Sequence, residues 1–320
     1  MQSAKNNEFR HCLVTGGAGF IGSHIAARLV SLGHTVTVVD NLSNGREENV
    51  PKGAEFIRAD LTLEKEFSKL KNISCDSVFH LAAQSSGKLS FEDPFKDLQS
   101  HILATFFLLE WSRKRGVRRF LYSSSTTTYG DPLYMPVDEK HPQQPKTYYA
   151  AGKAGSEAYI KLFQTLGIES TILRLPNVYG PRQNLYNKDQ GMISIYLSYF
   201  LENRPVIVKG SLERYRDFIF VEDVVDGFLL AHGNPKAFGK IYNLASGQKN
   251  TVKEILDALI ETFGFDDYPI EMHEGTPGDQ FGISCDTRLI NNELDWRAKI
   301  GIKEGIFKTV EFERGRWNNE

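Results

Sequence analysis

An α/β fold is predicted, a doubly wound parallel sheet with a smaller C-terminal lobe, and three features of the chain predict it. Short apolar runs alternate with helical patterns up to about residue 176. The first run, 11–15, leads directly into Gly16-x-x-Gly19-x-x-Gly22. The second, 36–39, closes on Asp40, which completes a βαβ unit of ordinary length.

The elements follow in order. After the glycines, Ile25, Leu29 and Val30 recur at helical spacing, and Gly33 ends that helix. Phe56-Ile57 is a short strand run ahead of Ala59-Asp60-Leu61. Residues 77–81 and 120–123 read as strands joined through one long helix, and 170–174 reads as a strand after the helix that carries Tyr149 and Lys153. From about Asn177 the alternation lapses into loops rich in Gly, Pro, Asn and Arg. The chain therefore divides into 1–176 and a lobe of 177–320, with a return segment near 216–232. Short strands are expected in the lobe at 205–208 and 241–244, and an amphipathic helix at 251–263.

Composition excludes several classes of function. The 320 residues carry 38 Lys+Arg against 40 Asp+Glu, a formal net charge of −2. The basic residues form no cluster, so neither nucleic acid nor an anionic membrane is an expected partner. Cys12, Cys75 and Cys285 are scattered, which argues against a disulfide framework or a zinc site and fits a reducing cytoplasm. No apolar run is long enough to span a bilayer, and polar residues 1–9 read as a tail rather than a targeting segment.

Glycines between a strand and a helix permit a tight turn and let backbone approach a pyrophosphate closely at the helix N-terminus. A carboxylate at the end of the next strand can accept hydrogen bonds from both ribose hydroxyls and would repel a 2′-phosphate. Asp40 so placed favours NAD over NADP. Asp60 follows another strand end and is either an adenine contact or a turn residue. Tyr149 and Lys153 stand four residues apart and so share a helix face. A phenol, with a free pKa near ~10, is a poor base at neutral pH. An ammonium beside it is expected to lower that value. Tyr148 is out of register for this pairing.

The chain resembles the extended short-chain dehydrogenase/reductase family, in particular its nucleotide-sugar epimerases and dehydratases. The resemblance rests on the glycine loop, Asp40, Asp60-Leu61, His80-Leu81-Ala82-Ala83, Ser123-Ser124-Ser125, Tyr129-Gly130, Tyr149 to Lys153, and Asn177-Val178-Tyr179-Gly180-Pro181-Arg182. Further on it rests on Arg216-Asp217-Phe218, Asp223, Tyr242-Asn243-Leu244 and Gly278-Asp279. It implies a Rossmann-type domain holding NAD and a lobe holding a nucleoside diphosphate sugar, in an enzyme of polysaccharide biosynthesis. By resemblance Tyr149 is the general base, Ser125 hydrogen-bonds the reacting oxygen, and Lys153 flanks the phenol and reaches the cofactor ribose. The cofactor contacts it implies are Gly16, Gly19, Phe20, Ile21, Gly22, Asp40, Asn41, Asp60, Leu61, Leu81, Ala82, Ala83, Ser123, Tyr149, Lys153 and Pro176. The substrate contacts are Ser125, Thr126, Asn177, Arg182, Arg216 and Asp279. His80 reads as structural.

The family's dehydratases carry an acid and a base just after the Ser/Thr, where this chain has Thr126 and Thr127. Neither can remove a carbon-bound proton at neutral pH, so elimination is disfavoured and 4-epimerisation is expected. Net oxidation or reduction, or 2-epimerisation of an unusual sugar such as a deoxy sugar or heptose, stays open. A non-catalytic NAD sensor is disfavoured by the intact Ser125, Tyr149 and Lys153. Three positions depart from or fail to settle the family pattern. Thr276 stands where relatives often carry an arginine, His101 where they often carry an asparagine, and Ile283 where a residue gates the sugar space. Segment 98–111 is apolar on more than one face. It is either a deep core helix or, by resemblance, half of a homodimer interface formed with 147–166.

Overall fold

The computed structural model describes residues 10–85, 87–186, 191–275 and 281–317. The tail 1–9 and the positions Thr276, Gly278 and Asp279 lie outside the described residues.

Six strands, β1 (His11–Thr15), β2 (Thr35–Asp40), β3 (Glu55–Arg58), β4 (Ser77–His80), β5 (Arg119–Ser125) and β6 (Glu169–Leu175), are joined by a seventh at Lys240–Asn243. All pair in parallel, in the order β3-β2-β1-β4-β5-β6 and then 240–243. The central strands are buried on both faces, and their side chains sort by alternation into two cores. Val14, Val38, Phe79, Leu121 and Leu173 meet Ile25 and Leu29 of the Phe20–Ser31 helix and Val224 and Phe228 of the Val221–Gly233 helix. Leu13, Val39, Val78, Phe120 and Ile172 meet Leu108, Leu109, Ile160 and Phe163 on the opposite face. The strand order reverses between β1 and β4, so a crevice opens beyond their carboxyl ends.

Two expectations are corrected. The strand placed near 241–244 belongs to the main sheet, pairing with β6 through Ile241–Ile172 and Tyr242–Leu173 rather than with the lobe. The helix Val221–Gly233 returns the chain to the first domain, packing on the sheet face beside the Phe20–Ser31 helix. The single long helix expected between β4 and β5 is broken. Pro94 cannot continue a helix from the preceding turn, and Asp93 caps a new start by accepting from Lys96 N at 3.2 Å. A π-helical stretch, Leu98–Leu103, then precedes the Ala104–Lys114 helix. Such widened turns often lie at functional sites.

The lobe packs helices Met192–Leu201, Val252–Phe263 and Ile302–Trp317 around Leu197, Phe200, Val208, Leu259 and Ile306. A reciprocal cap between Thr251 and Glu254 starts the second of these helices, and Gly264, at φ 78°, ends it. Among the described residues no helix is long and apolar enough to cross a membrane.

The Tyr148–Gln164 helix is fastened to the sheet by charge. Glu157 is fully buried and accepts from Arg174 Nε at 3.0 Å, Arg174 Nη2 at 2.7 Å and Ser124 Oγ at 2.5 Å. Gln143 Nε2 donates to the same carboxylate at 2.9 Å. Removing one partner strands a buried guanidinium. Glu157→Ala is expected to cost ~3–5 kcal/mol in urea-induced unfolding, far more than the loss of the exposed Lys253–Asp257 pair on the same measurement.

Candidate active site

The loop after β1 is shaped by contacts that only glycine allows. Gly16 sits at φ 66°, and a Cβ there would lie 2.7 Å from Ala82 N. A Cβ on Gly22 would collide with the Gly16 carbonyl, so the helix starts against the turn itself. Gly16 N donates to Val39 O at 2.8 Å, which ties the turn to β2. Asp40 at the end of β2 accepts from Ala18 N at 3.1 Å and Leu42 N at 2.8 Å. Burial raises its pKa while these amides oppose the rise. Asp60 is held below the usual carboxylate range by Thr62 and Asn41 despite its desolvation.

Across the crevice, Ser125 ends β5, and its Oγ accepts from Thr127 N at 3.2 Å and Thr127 Oγ1 at 2.9 Å. Thr147 caps the next helix, bonding Ala150 N at 3.1 Å, and so sets Tyr149 and Lys153 in its first turns. Lys153 Nζ donates to Ser123 O at 2.6 Å and lies 5.9 Å from the centre of the Tyr149 ring. Tyr148, the competing phenol, is half exposed and packs edge-on against Phe91.

The expected lowering of the phenol pKa is not what the structure gives. Burial raises the Tyr149 pKa, a hydrogen bond with Ser125 opposes the rise, and the Asp97 charge adds to it. Lys153 is itself driven down by burial to about 7, with Glu157 opposing the shift. Its charge is therefore depleted near neutral pH and does not offset the phenol's desolvation.

These groups line one cleft of about 940 Å³. All sixteen cofactor-binding residues expected from the sequence border it, from Gly16 to Pro176. Of the expected substrate contacts, Ser125, Asn177 and Arg182 border it as well. Two do not. Thr126 is buried. Arg216 is not among the cleft's lining residues, and its Nη1 donates to Tyr215 O at 2.9 Å and Phe281 O at 3.2 Å. Asp279 is outside the described residues. The carboxylates of Asp217 and Asp223 are occupied by backbone. Asp217 accepts from Ser246 N and Gly247 N, and Asp223 from Lys299 N and Ile300 N. Ile283 is buried against Tyr129 and Val137.

Sequence reasoning missed the far rim. Arg46 lies over the Tyr186 ring at 5.7 Å, Tyr186 stacks on Trp317 at 5.8 Å, and Arg316 Nη2 reaches Glu48 at 3.4 Å. Arg46, Tyr186, Arg316 and Trp317 all face the cleft. Nothing in linear spacing links 46 to 316. His80 is locked in the core, its nitrogens 2.8 Å from Thr15 Oγ1 and 2.9 Å from Thr105 Oγ1.

A family model described as the NAD dependent epimerase/dehydratase family matches residues 12–245. The chain belongs to that family. A putative UDP-glucose 4-epimerase of Methanocaldococcus jannaschii is 37% identical over 300 residues, 93% of this chain and 96% of that protein. The crystal structure of a UDP-glucose 4-epimerase with UDP-glucose from Thermotoga maritima has a TM-score of 0.91 at 34% identity, covering 96% of this chain and 99% of that one. The UDP-glucose 4-epimerase of Thermus thermophilus in complex with NAD gives 0.88 at 36% identity, covering 95% and 99%. The cradle fits the cofactor that gives the family its name. Its backbone approaches are too close for any Cβ, and a buried carboxylate stands at the β2 end.

The depressed Lys153 pKa carries a sign that can be measured. Its folded value of about 7 lies below the 10.5 of a free lysine, so between those values the folded state binds fewer protons and stability rises with pH. Below about 7 the whole penalty of burying the charge is present. Lys153→Met should therefore unfold at a higher temperature than the parent at pH 6, with the gap closing as pH rises toward 10. Thermal melts across that range check it.

Proposed function

We propose that the protein is an NAD-dependent nucleoside-diphosphate-sugar epimerase that inverts a carbinol centre, most simply C4, through a 4-keto sugar. The observation that carries this is the convergence of Ser125, Tyr149 and Lys153 on one wall of the cleft, with threonines at 126 and 127. NAD bound along the glycine loop supplies a hydride acceptor that can return the hydride to the same carbon. The chain's own residues do the rest. Tyr149 takes the hydroxyl proton and later returns it, and Ser125 holds the oxygen as carbonyl character develops. Lys153 steadies the ribose side. Asp40 selects the unphosphorylated dinucleotide. With no carboxylate at 126 or 127, the ketone has no partner for elimination, and returning the hydride is the remaining exit.

The relatives named for UDP-glucose support a UDP-hexose as the first substrate to try. Asn177 and Arg182 are the groups on the cleft wall suited to its diphosphate. Residues 1–176 with the return segment near 216–232 would form the cofactor domain, and 177–320 most of the sugar lobe. Leu98 at 43%, Tyr159 at 38% and Leu162 at 53% exposure give the 98–114 and 148–164 helices an uncovered apolar face, which supports a homodimer through them. Three buried, unpaired thiols support a cytoplasmic setting.

The test is a panel of UDP-, GDP-, CDP- and dTDP-sugars, with sugar protons followed by NMR and NADH by absorbance. A new epimer without lasting NADH is the expected result. Stoichiometric NADH with a keto sugar would make the protein a dehydrogenase. Tyr149→Phe should keep NAD and fold while losing ~10²–10⁴-fold in turnover.

A further inference from the structure

Against the Tyr149 ring lies an ionisable pair with no part in the chemistry above. Asp97 and His101 are each 1% exposed. His101 Nε2 lies 3.1 Å from Asp97 Oδ1, and Gln84 Nε2 donates to the same oxygen at 3.4 Å. The second oxygen, Asp97 Oδ2, is buried and has no hydrogen-bond partner among the described residues. The other edge of the imidazole meets the Tyr149 ring, with centroids 5.2 Å apart at 83°. The contact is enforced from both helices. The π-helical stretch widens the turn that carries His101, and Gly152 faces it so closely that a Cβ would lie 2.8 Å from His101 Cδ2. One residue along, Gly155 receives Ile102 in the same way.

A buried carboxylate with one oxygen unsatisfied is costly and is kept only where something uses it. A chain of contacts runs from Gln84 on the cleft wall through Asp97 and His101 to the Tyr149 ring. We propose that Asp97 and His101 are positioning residues for Tyr149: the imidazole seats the phenol ring, and the buried Asp97 charge behind it sets the phenol's proton affinity. Burial drives the His101 pKa down to about 4 against the pull of Asp97, so the imidazole is neutral near pH 7 and does not cancel the carboxylate. Among the described residues, other ionisable groups near Tyr149 include Lys153 and Glu157 on its own helix, Tyr122 on β5 and His80 on β4. Glu157 is spent on Arg174, and burial lowers the pKa of Lys153 and His80 and raises that of Tyr122. The Asp97 charge acts against the phenolate.

This inference rests on Tyr149 being the base, but it is tested without turnover. Ionisation of Tyr149 is read as the tyrosinate absorbance lost in Tyr149→Phe, with each variant compared to its own Tyr149→Phe double. Asp97→Asn is expected to move that midpoint to lower pH, because the charge opposing the phenolate is gone. Asp97→Glu, which keeps the charge, should restore it toward the parent value. In the active protein the rising acid limb of kcat should move with the absorbance midpoint. His101→Ala should lower kcat at least tenfold with KM unchanged and NAD content retained. An unmoved midpoint in a folded Asp97→Asn protein overturns the charge role, and an unchanged kcat in His101→Ala overturns the seating role. If the midpoints shift as expected but no sugar turns over, the proposed epimerase is at fault and the Asp97–Tyr149 coupling stands.

Discussion

The buried carboxylate of Glu157 holds the helix of Tyr149 and Lys153 in register with the sheet. It gathers Arg174 from β6, Ser124 from β5 and Gln143 from the loop before the helix. Four donors on one carboxylate leave little freedom for the helix to slide along the strands. Its first turns are placed by Thr147 at one end and by this knot two turns on. Arg174 also lies 4.8 Å over the Tyr129 ring, and Tyr129 Oη bonds Asn243 at 2.6 Å. The knot thus reaches across to the seventh strand. A buried pair of this kind adds little net stability, but it is unforgiving of displacement. That suits a site whose proposed base, Tyr149, and proposed hydrogen-bonding hydroxyl, Ser125, come from different elements.

Burial also governs the proposed base. Desolvation disfavours both the Tyr149 phenolate and the Lys153 ammonium. Two raised costs of opposite sign make the pair sensitive to any charge brought near it. An oxidised nicotinamide held beside Tyr149 and Lys153 would bring such a charge and would favour the phenolate. Proton removal by Tyr149 would then be tied to cofactor state by electrostatics.

Much of this was legible in the sequence because it is local. Gly22 must be glycine because of the Gly16 carbonyl in the same turn, and Gly16 because of its positive φ; Asp40 ends the adjacent strand, and Tyr149 and Lys153 share a helix face through simple periodicity. The errors arose where tertiary context decides. The run at 241–244 looks the same whether it pairs with β6 or with a strand of the lobe, and only the packing of the Val221–Gly233 helix chooses. The two carbonyls that Arg216 Nη1 meets, of Tyr215 and Phe281, are likewise invisible in its spacing, and its proposed phosphate role stands beside them. The Lys153 pKa depends on burial that no spacing reveals. The π-helical stretch beside Gly152 is written only in the fit of two helices.

The rim built by Arg46, Tyr186 and Trp317 has a consequence for how the molecule comes into being. Arg316 meets Glu48 across 268 residues of chain. During synthesis the glycine loop emerges early, but the wall opposite it cannot exist until the lobe has been made and docked. Closing so long a loop is entropically slow, and until it closes the nucleotide end of the cleft stands open to water. The nascent chain therefore passes through a period in which it has a phosphate cradle without an enclosure. A dinucleotide met then would be held weakly, and one present at docking would be sealed in as the last segment folds.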